Sequence, residues 1–115
     1  MDMVSGARAE EGDWVDQSIL QHYISLAKEG TKASIDEIMR HLNKSMSLPE
    51  SKFIDFALGH IGSAEGIKVM EHYLYHGTQI QRNYCALYFG RRGEYQLIRR
   101  AYDEGLIDAK QAFSR

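Results

Sequence analysis

Apolar residues recur at intervals of three and four positions along most of the chain, which is the spacing of helices that bury one face. No stretch alternates apolar and polar residues between turn signals, so strands are not predicted. Glycines and short polar residues fall between the apolar segments at positions suited to helix ends. The pattern predicts an all-α fold of six to seven helices.

The first two helices are predicted from their caps and stop signals. A lead helix covers residues 14–29, with Asp13 as its N-cap and Gly30 as its stop. Ser34 is then expected to cap a second helix that ends near Met46. The residues expected to be buried from these helices are Val15, Ile19, Tyr23, Leu26, Ile35, Ile38, Met39 and Leu42.

The third and fourth helices have equally clear boundaries in the sequence. Pro49 suits the first turn of the third helix, because its missing N–H is not needed there, and Gly62 is the expected end. Ser63 should begin the fourth helix and Gly77 should end it as a left-handed cap. The residues expected to be buried here are Phe53, Phe56, Ala57, Ile61, Ile67, Met70, Tyr73 and Leu74.

Three further helices are predicted after Gly77. Thr78 and Gln81 have the spacing of a capping box that opens the fifth helix. Gly105 closes the sixth, and Asp108 should cap a short C-terminal helix over residues 108–115. The residues expected to be buried are Ile80, Tyr84, Leu87, Tyr88, Leu106, Ile107, Ala109 and Phe113.

The apolar pattern repeats when the chain is aligned with itself at an offset of 28 residues. Gly77 then falls on Gly105 and Ala57 falls on Cys85. The aligned apolar positions are Ile67, Val69, Met70 and Leu74 on Tyr95, Leu97, Ile98 and Tyr102. One helix pair cannot bury its apolar stripe alone, so the repetition predicts stacked pairs that share a continuous core.

The segment Ala57-Leu58-Gly59-His60-Ile61-Gly62 resembles the signature of the short HEAT-like repeats of the PBS-lyase type. The next copy, Cys85-Ala86-Leu87-Tyr88-Phe89-Gly90, lacks the first glycine. The resemblance covers about residues 34–107 and implies a right-handed α-α superhelix of antiparallel pairs that presents one face to a partner. It implies no activity. A period of 28 residues is shorter than the roughly 40 of long HEAT units, so an irregular helical bundle is the alternative.

Length and composition agree with one domain. A chain of 115 residues with 43% hydrophobic and 26% charged residues can form a single core. We expect residues 1–12 to be a flexible tail and residues 13–115 to form the domain. The single cysteine, Cys85, excludes an intramolecular disulfide and fits a cytoplasmic protein. Neither a secretory signal nor a membrane-spanning apolar run is recognised.

No metal or cofactor is predicted. His72 and His76 are four residues apart beside Glu71, but the helix signature of zinc hydrolases needs Glu directly after the first His, where this chain has Tyr73. HEAT-like proteins with a di-iron centre use His-Glu pairs, and the chain contains no His-Glu dipeptide. Cys85 lies in mid-helix, where a cysteine behaves as a buried hydrophobic residue. The two histidines are therefore interpreted as exposed residues near a helix end.

The strongest functional signal is a set of arginines in the second half of the chain. Residues 78–115 hold 7 Lys and Arg against 4 Asp and Glu, whereas residues 1–77 hold 7 against 12. Because arginine grips carboxylates and phosphates with paired hydrogen bonds, the cluster is a candidate binding edge. The alternative is a solvated surface neutralised by Glu94, Asp103 and Glu104. The candidate site residues are Arg82, Arg91, Arg92, Arg99 and Arg100, with Tyr75 as a contact residue.

These observations favour a non-enzymatic protein-interaction module, an adaptor or scaffold with a basic C-terminal edge whose partner is another protein. A nucleic-acid-binding protein that uses the arginine cluster is the alternative, although the net charge of −2 argues against it. A small helical enzyme is the lower alternative. Its acid and base would come from His60, His72 or His76 together with Glu71 or Glu65.

Overall fold

The computed structural model describes residues 18–113, and every regular element in that range is a helix. The described part of α1 covers residues 18–29. The helices that follow are α2 Lys32–His41, α3 Leu48–Leu58, α4 Ala64–His76, α5 Gln79–Arg91, α6 Tyr95–Asp103 and α7 Ala109–Phe113. The all-α prediction is thus confirmed for these residues. The expected tail, the Asp13 cap and Val15 lie outside the described range.

Side-chain caps start most of the helices, and several of them are the ones that the sequence predicts. Ser63 accepts the Gly66 N–H at the start of α4, and Thr78 forms a capping box with Gln81 at the start of α5. Pro49 lies in the first turn of α3. Asp108 Oδ1 accepts the Gln111 N–H at 2.8 Å, which caps α7 as predicted.

Three predicted boundaries are wrong. Thr31 caps α2, whereas Ser34 occupies the third helical position and completes a capping box with it. Thr31 follows Gly30 directly and has extended backbone, so its hydroxyl lies at the free N–H groups of the first turn and accepts the Ser34 N–H. Ser34 is already inside the helix. The helix α2 ends at His41 instead of near Met46, and α3 ends at Leu58 instead of at Gly62.

The capping box at the start of α5 should contribute measurably to the stability of the protein. Replacing Thr78 with alanine should lower the free energy of unfolding by about 1 kcal/mol, because the N–H of Gln81 loses its side-chain acceptor. Thr78→Ser keeps the hydroxyl and should retain most of that stability. Urea denaturation of the three proteins measures both effects, and equal losses in the two variants would contradict a capping role.

The helices α4 and α5 make most of the contacts between helices. The helix α4 lies along both α2 and α5, and α5 also contacts α3, α6 and α7. From α1, Tyr23 reaches α3 by donating its hydroxyl to Glu50 Oε2 at 2.9 Å. The larger side chains with no exposed surface at the centre of this packing are Ile35, Ile38, Ile54, Ile61, Met70, Leu74, Cys85 and Phe89.

Most of the predicted buried stripes are confirmed, but three large residues are not. Phe56 is 60% exposed, Phe113 is 49% exposed and Ile19 is 39% exposed. In α3 the buried side is formed instead by Ile54 and Leu58 together with Ala57, which turns Phe56 outward against the ring of His60. Gly77 is also corrected, because its φ of −76° and ψ of −179° are extended and not left-handed.

A close backbone contact joins the start of α4 to the end of α1. Gly30 adopts a φ of 64°, which ends α1 and leaves its carbonyl pointing at α4. Ser63 Oγ donates to that carbonyl at 2.8 Å while it accepts the Gly66 N–H at 2.9 Å. No helix among the described residues is long and apolar enough to cross a membrane.

Candidate binding face on α2, α4 and α6

Arg82 is held inside the fold. Its Nε donates to the Leu106 carbonyl at 2.8 Å and its Nη1 donates to the Gly77 carbonyl at 2.8 Å. The remaining nitrogen, Nη2, donates to Gln79 Oε1. The guanidinium therefore joins the start of α5 to the segment after α6, and it is not oriented to receive an anion from solution.

Arg91, Arg99 and Arg100 each pair with a carboxylate of the chain. Arg91 makes two parallel bonds of 2.9 Å with Asp55 of α3, and hydrogen bonding to that carboxylate raises the pKa of the guanidinium. Arg99 pairs with Asp103 at 3.1 Å, one turn along α6. Arg100 pairs with Glu104 at 3.0 Å. Such exposed pairs add little stability, but each places a carboxylate beside the guanidinium, and in Arg91 the pair engages both Nη groups.

Tyr75 and Arg92 complete the predicted set. The Tyr75 hydroxyl donates to the Leu97 carbonyl at 2.9 Å, and Arg100 lies over its ring at 4.8 Å from the centroid. Arg92 lies over the ring of Tyr88 at 5.4 Å. The structure thus brings Tyr75 and Arg100 together, while the other arginines contact separate neighbours on α3, on α5, within α6 and after α6.

Because Arg82 donates hydrogen bonds to three different groups, replacing it should destabilise the protein even when the positive charge is kept. Arg82→Lys keeps the charge but cannot reach three acceptors in a fork, so the free energy of unfolding should fall by about 1 kcal/mol. Arg99→Lys, at an exposed ion pair, is the matched control and should change it by less than about 0.5 kcal/mol. Thermal and urea denaturation measure both, and an unchanged Arg82→Lys protein would contradict this role.

A groove of about 710 Å³ runs between α2 and α4. Partly buried Val69 and Tyr73 contribute apolar surface to it, and charged side chains stand around them. The residues that line this α2–α4 groove are Lys32, Asp36, Ala64, Glu65, Lys68, Val69, His72 and Tyr73.

Asp36 is the most constrained polar group of the α2–α4 groove. Burial raises the pKa of its carboxyl, but hydrogen bonds from Lys32 and Tyr73 outweigh burial and the pKa is lowered. The Tyr73 hydroxyl donates to Asp36 Oδ1 at 2.6 Å, and burial together with this bond raises the tyrosine pKa. Lys32 Nζ lies 2.7 Å from Asp36 Oδ2. The groove therefore keeps a fixed, ionised carboxylate whose charge is balanced.

A second groove of about 570 Å³ lies between α4 and α6. Lys68 and His72 line both grooves, so the exposed edge of α4 separates them and belongs to each. The residues that line this α4–α6 groove are Lys68, Glu71, His72, Tyr75, His76, Arg100, Glu104 and Leu106. We call the two grooves and the α4 edge between them the α2–α4–α6 face.

Reasoning from the sequence found part of the α2–α4–α6 face. It named Tyr75 and Arg100 as contact residues, His72, His76, Glu65 and Glu71 as residues of the lower, enzymatic alternative, and Glu104 as a neutralising residue. It did not name Lys32, Asp36 or Lys68 as site residues. The available signal was the spacing of Lys68, His72 and His76, which places them on one edge of α4, away from buried Met70 and Leu74.

Two further observations concern metal-ligating groups and the single cysteine. Within residues 18–113 no three His, Cys, Asp or Glu side chains are grouped to hold a metal ion. Cys85 is fully buried, and burial raises the pKa of its thiol, which disfavours a reactive thiolate.

Comparisons with protein-family models, with curated proteins and with solved structures find no match to this chain.

Proposed function

We propose that this chain is a non-enzymatic protein-interaction module, built as a short HEAT-like superhelix, and that it binds another protein across the α2–α4–α6 face. The order of helix contacts supports the repeat architecture. Besides the consecutive pairs α4–α5, α5–α6 and α6–α7, three pairs of helices two positions apart in the chain are in contact: α2 with α4, α3 with α5, and α5 with α7. Stacked helix pairs produce this order of contacts.

The observation that carries the proposed function is the pair of grooves that meet at the edge of α4. Partly buried aromatic rings of Tyr73 and Tyr75 lie in them, surrounded by exposed charged side chains. Protein interfaces have this arrangement of an aromatic centre and a polar rim. A partner that lays one helix or an extended segment along α4 would contact both grooves at once.

The ion pairs of the arginines make the basic C-terminal edge a less suitable binding surface than the sequence predicts. Arg91, Arg99 and Arg100 already pair with carboxylates, so a phosphate backbone would meet negative charge from Asp55, Asp103 and Glu104 beside these arginines. That cost, together with a net charge of −2, weighs against nucleic-acid binding. The basic C-terminal edge is therefore replaced in our proposal by the mixed-charge grooves beside α4.

Site-specific photocrosslinking tests the proposed function. A photoreactive phenylalanine analogue replaces Lys68 on the α2–α4–α6 face in one variant and Lys52, exposed on α3, in the other. Irradiation in the source cells should give a discrete heavier adduct, identified by mass spectrometry, from position 68 and not from position 52. Circular dichroism first establishes that both variants fold.

A second pair of variants connects the adduct to binding. Lys68→Glu should weaken recovery of the crosslinked protein by purified chain, whereas Lys52→Glu should leave it unchanged. If positions 68 and 52 give the same adducts or none, the proposed binding face is wrong. If the adduct at position 68 contains nucleic acid and its yield falls steeply with salt, the nucleic-acid alternative replaces the proposal.

A further inference from the structure

His72 and His76 stand side by side on the exposed edge of α4. Their ring centroids are 4.9 Å apart and their planes are inclined by 36°. Both residues are exposed, and neither ring makes a hydrogen bond to another group within residues 18–113. Two of the other histidines are held by the protein: His41 contacts Glu37 at 3.3 Å, and His60 Nδ1 is buried. His22 is exposed on α1 and its ring lies 5.8 Å from that of Tyr23, with no second histidine beside it.

The separation of the two rings matches that of two imidazoles on one metal ion. Zinc–nitrogen bonds are about 2.0–2.1 Å long, so two imidazoles on a tetrahedral ion have their ring centres roughly 5 Å apart. The observed centroid distance of 4.9 Å is close to that value, and binding then requires each ring to turn one nitrogen toward the shared ion. Because the residues are four apart on a helix, the backbone of α4 holds this spacing without help from other elements.

We propose that His72 and His76 form a two-ligand site for a borderline divalent cation of the Zn²⁺, Ni²⁺ and Cu²⁺ group. Neutral imidazole nitrogens favour these ions over Mg²⁺ and Ca²⁺, which prefer oxygen ligands. The histidine pair does not complete a structural zinc site, which needs four protein ligands. Water fills the remaining positions on the ion, and the ion faces the α4–α6 groove.

The surroundings of the histidine pair leave the ion accessible. Glu71 and Glu104 bring negative charge to the α4–α6 groove, and Lys68 and Arg100 bring positive charge. Arg100 is already engaged by Glu104 and by the ring of Tyr75. The site is independent of the proposed function, because two histidines on one helix bind the ion whether or not a protein occupies the grooves.

A zinc titration of the full-length, tag-free chain followed by NMR of the histidine rings tests the site. The signals of His72 and His76 should shift together, at lower zinc concentration than those of His22, His41 and His60. Magnesium at the same concentrations should move neither. If all five histidines respond at the same zinc concentration, or if His72 responds without His76, the two-ligand site is wrong.

Substitutions on the same helix separate chelation from binding by single histidines. Mutating a residue that merely orients a metal ligand lowers metal affinity by about 10–100-fold. Removing a ligand itself, as in His76→Gln, should therefore weaken zinc binding at least tenfold. The response of His72 should then move to the concentration at which single exposed histidines respond. His41→Gln is the matched control and should leave zinc affinity unchanged, and equal losses in the two variants would overturn the proposal. The titration of the unmodified chain remains decisive if a variant does not fold.

Discussion

Replacing Phe89 with alanine should lower the free energy of unfolding by about 3–5 kcal/mol, which is the largest effect that we expect from one substitution. Phe89 is the largest fully buried side chain of the described residues and lies on α5, which contacts α3, α4, α6 and α7. Removing the ring loses its transfer free energy and leaves a cavity among helices that cannot all move inward together. Chemical denaturation, followed by the circular dichroism of the helices, measures the loss.

Phe56→Ala is the matched control for Phe89→Ala, because it deletes the same atoms from a residue that is 60% exposed. Its ring contacts His60 with centroids 5.3 Å apart, so a change of about 0.5 kcal/mol or less is expected. Similar large losses in the two variants would mean that Phe56 is buried, as the sequence pattern predicts, and that the outward orientation of its ring is wrong.

The difference between these two phenylalanines explains where the sequence pattern succeeds and where it fails. The segment Phe53-Ile54-Asp55-Phe56-Ala57-Leu58 is apolar at five of its six positions, so more than one face of α3 fits the helical period. The face that is buried depends on contacts with α1 and α5, which lie far away in the chain. In α4 the polar residues leave one apolar stripe, and the predicted bounds and core are confirmed there.

Helix starts are predictable because a cap and the N–H that it satisfies lie within three residues of each other. The binding face is not predictable in the same way. The Tyr73 hydroxyl and Asp36 are 37 positions apart, and Arg91 and Asp55 are 36 apart. The sequence does offer Asp103 and Glu104 as partners of Arg99 and Arg100, because each pair is four residues apart. Charge counting along the chain cannot show that Asp55 of α3 pairs with Arg91.

Gly66→Ala should lower the free energy of unfolding by about 1–3 kcal/mol, even though alanine is the better helix former. A Cβ at position 66 would lie 2.7 Å from Ile61 Cγ2 and 2.8 Å from Ser63 Oγ. Moving either neighbour to make room for the Cβ would cost stability. Ile61 is fully buried and its carbonyl accepts the Tyr88 hydroxyl at 2.7 Å, and Ser63 bridges α4 to the Gly30 carbonyl.

Gly90→Ala makes the same chemical change in α5, where the nearest atom to the new Cβ would be Ile98 Cδ1 at 3.5 Å, an ordinary contact. Without a clash, the helix propensity of alanine should dominate and raise stability by up to about 1 kcal/mol. The two variants should therefore move the midpoint of urea unfolding in opposite directions. A stabilised Gly66→Ala protein would mean that Ile61 and Ser63 do not lie as close to the first turn of α4 as the structure places them, because their contacts with the new Cβ are the source of the expected loss.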